Sequence, residues 1–145
     1  MKEFFQELFA YSHSCQQRLV EIYDAHPGKI SAKALLLHSH ILNAHRNWNA
    51  RIHPSLSLVG VWQVHDPDNF TSIDRDNYMN SLYILDHFDL GHEIDFVLSN
   101  GQALRNSVRN MLFQVVNHST YHRAQIATEL KNHDIPPLAA DFIFF

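Results

Sequence analysis

Cysteine occurs once in the 145 residues, at Cys15, so the chain has no internal disulfide framework and no thiolate cluster for zinc. A reducing compartment fits that usage. Positive charge is scarce as well. Eleven Lys and Arg residues against fifteen acids leave a net charge of −4, and no basic run exceeds two residues. That excludes the footprint of a nucleic-acid binder and a polybasic membrane patch. Long apolar runs are missing too, since none approaches the roughly 18 residues a membrane span requires. The opening stretch "MKEFFQELFAYSHS" carries acids and a histidine where a signal peptide has its apolar core, so the expected location is the cytoplasm. Repeats, low-complexity tracts and linkers are also lacking. With 46% hydrophobic and 18% charged residues, the composition is that of one soluble globular domain over residues 1–145.

What the chain has in excess is histidine, twelve residues in all. His118 and His122 stand four apart in "VVNHSTYHRAQIATEL", the spacing of two ligands on one helix face. In a chain this rich in histidine, about one such pair arises by chance. Spacing alone therefore decides nothing.

Four segments carry helical periodicity. The first runs from about Lys2 to Asp24, with Phe4, Phe5, Leu8, Tyr11, Cys15, Leu19 and Ile22 on one stripe, and ends at "HPG". Ser31 caps the second, which reaches Ile52 on a stripe of Ala34, Leu37, Ile41, Ala44 and Trp48. A long polar crossover follows, "PSLSLVGVWQVHDPDNFTSI". The third helix is expected from Ile73 or Asp74 to about Leu90, and the fourth from Ser107 to Asn132. Between them Asn100-Gly101 signals a short hairpin. The expected fold is all-α, a four-helix bundle with a long crossover between helices 2 and 3.

The fourth helix offers a better test than spacing. At about 100° per residue, His118 and His122 fall inside the inward stripe formed by Val108, Met111, Val115 and Ile126. Two stacked imidazoles in a core are costly unless something ties them down. One divalent ion would do so, and a third ligand would complete a site with open positions. The residue after His118 is Ser119, so the glutamate base of a zincin protease is missing. Helix 2 offers His38, His40 and His45 in "LHSHILNAHRNW", each roughly 60–80° off its apolar stripe. Angle alone does not choose among them.

"HILNAHRNW" in helix 2 followed by "NHSTYHRAQ" in the last helix resembles the DinB-like superfamily, the damage-inducible four-helix group that includes bacillithiol- and mycothiol-dependent transferases. The resemblance spans the domain length, the helix order and the long second crossover. It implies a three-histidine metal site made by His40, His118 and His122, holding zinc, nickel or iron. It also implies a low-molecular-weight thiol delivered to a small electrophilic substrate, and a metal-dependent transferase or hydrolase activity. The alternative it leaves is a non-catalytic metal-binding stress protein. A homodimer is expected under either reading. His45 stands where many members carry a carboxylate, so its role is support of the site, contact with the substrate, or plain solvent exposure.

The remaining histidines (His13, His26, His53, His65, His87, His92 and His133) are expected at the surface or at helix ends, and Trp48 in the core. Arg123 is expected to point outward into an ion pair, and Tyr121 to sit in an interface. The apolar tail "FIFF", Phe142 to Phe145, is expected to pack on the protein or on a second subunit.

Overall fold

The computed structural model describes residues 1–98 and 100–145. Four helices carry the fold: α1 Lys2–Ala25, α2 Ala32–Ile52, α3 Phe70–His87 and α4 Val108–Asn132. The local signals act where expected. Ser31 caps α2 by accepting from the backbone N–H of Ala34, and Ser107, expected as the start of the fourth helix, stands one residue before α4 as its cap and accepts from the N–H of Asn110. Gly28 takes a φ of +76° in the turn after α1. Asn100-Gly101 lies between two antiparallel strands, β1 Glu93–Val97 and β2 Ala103–Ser107, with Glu93 opposite Ser107.

Two expectations need correction. α3 starts at Phe70 rather than at Ile73 or Asp74, and ends at His87 rather than Leu90. Asp66 accepts from the N–H of Asp68 and starts a short 3₁₀ turn, Pro67–Asn69, that leads straight into the helix. Phe70 is then fully enclosed against Tyr23 and His38, which anchors the early start. On α1, Phe4 is half exposed and Phe9 takes the core position instead.

The apolar interior comes in two clusters. One joins Phe5 and Phe9 of α1 to Ile52, Ile84, Leu85 and the early α4 residues Val108–Val116. The other joins Leu19 and Tyr23 to Leu37, Ile41, Phe70, Ile126 and Leu130. From which ends share a cluster, α2 and α3 run together, against α1 and α4. Parallel neighbours need a connection that travels back along the whole helix, which is why the crossover is long. Between the clusters sits a layer of buried polar groups, among them Ser12, Gln16, His38, His45, Asp74 and Arg123.

Candidate metal centre

α2 packs closely on α4, and the site forms where they face each other. His40 is buried on α2, His122 is buried on α4, and His118 one turn earlier is half-buried. His118 Nε2 lies 3.1 Å from His40 Nε2 and 3.0 Å from His122 Nε2. All three ligand nitrogens fall within 4.8 Å of one another. Nitrogens bound tetrahedrally to one ion at 2.0–2.1 Å stand about 3.3 Å apart. The two separations at His118 lie within a few tenths of an ångström of that spacing.

Proton counting supports the same conclusion. His40 Nδ1 faces the Val61 carbonyl at 3.0 Å, a pure acceptor, so this nitrogen carries the hydrogen and Nε2 presents a lone pair. His122 Nδ1 likewise faces Gln125 Oε1 at 2.7 Å. Two bare Nε2 atoms therefore aim at His118 Nε2, which can send a proton to only one of them. Protonating the rings does not relieve the contact. Burial, with the charges of His122 and His40 added, pushes His118 down to about 4, and burial also lowers His40. A cation satisfies all three lone pairs at once. The three histidines could hold a divalent metal ion.

The crossover completes the site. Val59 N–H donates to Asn47 Oδ1, whose amide returns a bond to Val59 O, and Asn43 donates to the Gln63 carbonyl. His65 donates its backbone N–H to Ser39 Oγ and its ring Nε2–H to Asn43 Oδ1. These polar residues lie one turn apart on α2 and hold the segment along the helix, with a turn at Gly60–Gln63 closed by Gln63 N–H on the Gly60 carbonyl. The result sets the Val61 carbonyl on His40 and stacks Trp62 flat on its ring, with centroids 3.8 Å apart and planes at 8°. A cleft of about 400 Å³ opens beside His122, walled by Leu37, Trp62, Tyr121 and Gln125 and bounded by the Lys33–Glu129 ion pair.

Of the three candidates on α2, only His40 joins α4. His38 is fully enclosed, with Nδ1 3.2 Å from the Tyr23 hydroxyl, and burial drives it down to about 3. His45 neither supports the site nor meets solvent. It is buried against Phe9 with Nε2 2.7 Å from Ser81 Oγ, because α3 brings a hydroxyl to its level. Burial pushes it down to about 3.

His26, His87 and His133 bond carbonyls four residues back, near helix ends, as expected. His13 and His65 differ. His13 pairs with the buried Asp74 carboxylate at 2.5 Å and stacks on Tyr78, and His65 holds the crossover. Trp48 packs on Phe96, away from the site. Arg123 turns inward instead of outward, since α1 supplies the hydroxyls of Tyr11 and Ser12. Tyr121 is exposed beside His122 and lines the cleft.

Sequence reasoning missed Val61, Trp62 and Gln125. Gln125 was accessible, being three residues after His122 and hence on its face. Nothing in the order of residues marks Val61, whose contribution is a backbone carbonyl. Compared with protein-family models, curated proteins and solved structures, the chain matches none.

Proposed function

We propose that this chain is a DinB-like four-helix-bundle protein acting as a metal-dependent transferase or hydrolase, with a low-molecular-weight thiol as the preferred nucleophile. The observation that carries the reading is the convergence of three Nε2 atoms, two of them bare, at a point flanked by a cleft. The order "HILNAHRNW" then "NHSTYHRAQ" supports the family. A divalent ion on three neutral imidazoles keeps its charge and open positions, and so lowers the pKa of a thiol or water placed there.

The chain's own residues do the rest. The Val61 carbonyl and Gln125 fix the tautomers and aim the rings. Trp62 covers one face of His40 and keeps water off it. Leu37, Trp62 and Tyr121 offer apolar walls to the body of a small electrophile. The Lys33–Glu129 pair stands seven residues from the ligand on both helices, about 10 Å along each axis, and marks the far end of the cleft. Among the described residues no carboxylate joins the three histidines in the cluster, so proton transfer falls to solvent or the substrate.

The alternative, a non-catalytic metal-binding homodimer, is favoured by one observation. Ile143 and Phe144 are 84% and 81% exposed, an apolar tip suited to a second copy. Metal analysis of protein purified without added metal, with His118→Ala beside it, tests the shared premise. About one equivalent in the wild type and none in the variant is the expected result. Equal metal content in both sinks the site. Turnover of a thiol–electrophile panel by the loaded protein then separates enzyme from binding protein.

A further inference from the structure

The groove between α2 and α4 holds a second pocket, on the other side of the triad from the cleft beside His122. At about 100° per residue, its lining residues Asn110, Met111 and Gln114 fall in the same sector of α4 as Tyr121, His122 and Gln125. Gln114 stands four residues before His118, about 6 Å along the helix axis. The pocket measures about 260 Å³, and the β1–β2 hairpin forms its far wall. None of its lining residues belongs to the cleft beside His122, so the two flank the triad along one groove.

Its floor is apolar. Phe96 and Leu104 stand opposite each other across the two strands and hence on one face of the hairpin, and Trp48 and Met111 come from the helices. Its rim carries three carboxamides, on Asn106, Asn110 and Gln114, and among the described residues no charged one lines it. Asn106 Oδ1 accepts from the Ser107 N–H at 3.1 Å and from Asn110 Nδ2 at 2.8 Å, which fixes the orientation of both amides. Asn106 Nδ2, Asn110 Oδ1 and both polar atoms of Gln114 have no partner among the described residues. Asn106 and Asn110 are exposed and Gln114 is half-buried, so these donors and acceptors are open to a ligand. Arg51 lies over the Trp48 and Phe96 rings, 4.8 and 5.7 Å from their centroids, and its charge is engaged there rather than in the pocket wall.

We infer that this pocket seats the body of the thiol used in the proposed reaction, and that the body is a neutral chain carrying amides, an inference that rests on the triad's proposed role as a thiol-accepting metal centre. A neutral wall selects a neutral ligand, since a charge would shed water with nothing to meet it. A carboxamide presents donor and acceptor together, which is the complement of another amide. Asn110 and Gln114 stand one turn apart on α4, so amides about 6 Å apart along a chain meet both. The methylenes between them lie on Trp48, Phe96 and Leu104. The electrophile keeps the cleft beside His122, and the two reactants approach the triad from opposite ends of the groove.

Side-chain amide resonances of the full chain, followed without metal, test the pocket first. S-methylpantetheine, a neutral chain with two amides whose sulfur cannot form a thiolate, should shift those of Asn106, Asn110 and Gln114. It should bind about fivefold or more tighter than S-methylglutathione, an anionic chain, and than a methyl thioglucoside, a neutral body of hydroxyls. Leu104→Trp fills the pocket from the hairpin, and Gln114→Leu removes one amide from an accessible position; each should weaken binding about fivefold or more, while His118→Ala should leave it unchanged. In Co²⁺-loaded protein, pantetheine should then develop the thiolate absorption band at about one tenth of the mercaptoethanol concentration, an advantage lost in Leu104→Trp. Unmoved amide resonances, equal affinity for the three S-methyl ligands, or equal potency of the two thiols overturns the inference. Failure to load Co²⁺ removes the triad's role, whereas failure of the metal-free titration removes the pocket's.

Discussion

His40, His118 and His122 meet nitrogen to nitrogen between α2 and α4, whereas His45, five residues after His40 on the same helix, ends on a hydroxyl. Both arrangements bury imidazole, and both depress its basicity through burial. The difference lies in what the ring nitrogens face. His45 meets Ser81, which exchanges hydrogen bonds with Asn49, so its demand is closed within the protein. The triad's demand is not closed, because lone pairs outnumber protons at its centre. A satisfied histidine contributes stability, and a convergent unsatisfied set marks a site for something else.

Single substitutions should separate the two regions. His118→Ala should lower Zn²⁺ or Ni²⁺ affinity by more than about 100-fold, beyond what losing an outer partner costs, with little change in stability. His45→Ala should do the reverse. Loss of the ring leaves a cavity and an orphaned hydroxyl, so denaturant unfolding should show a deficit of about 2–4 kcal/mol, with metal affinity within about twofold. If His45→Ala weakens metal binding as strongly as His118→Ala, the distinction fails.

Acid provides the next test. His45 titrates near 3 in the folded protein against 6.5 when free, so the unfolded state binds more protons between those values. Stability from this group is complete above about pH 6.5 and falls as the pH drops toward 3, by about 2 kcal/mol at pH 5. His45→Gln should remove that share of the loss in unfolding midpoints compared at pH 7 and pH 5. An unchanged slope in the variant would place the acid sensitivity elsewhere.

The smallest effects should come from the residues that aim the rings. Gln125→Ala should weaken metal binding by about tenfold, since His122 loses the acceptor for Nδ1–H. Asn47→Ala loosens the crossover at Val59 and acts on His40 only through Val61, so a smaller loss of about threefold is expected in the same titration. Wild-type affinity in Gln125→Ala would show that the His122 ring is fixed by packing alone.

The helices were legible because their punctuation is local. Ser31, Gly28, Ser107 and Asn100-Gly101 each act on backbone a few residues away. The inward placement of His118 and His122 was legible for the same reason, since a helix fixes angles from sequence number alone. The helix-2 partner was not, because His38, His40 and His45 deviate similarly from the stripe. Their fates were set by what stood opposite: Tyr23 and Phe70 for His38, α4 for His40, Ser81 for His45. The tail behaved in part as expected. Phe142 and Phe145 pack edge-on against Tyr11, while Ile143 and Phe144 stay outside.

By itself, then, the order of residues determined four helices, one hairpin and a pair of histidines on an inward face, all consequences of short-range backbone geometry. Only the tertiary structure decided that His40 completes the set, that the crossover lays Val61 and Trp62 on it, and that Arg123 turns inward onto the hydroxyls of Tyr11 and Ser12. Those outcomes depend on which groups arrive from other helices. A burial angle says that a side chain points in, but only its neighbours say whether its hydrogen bonds and charge are met.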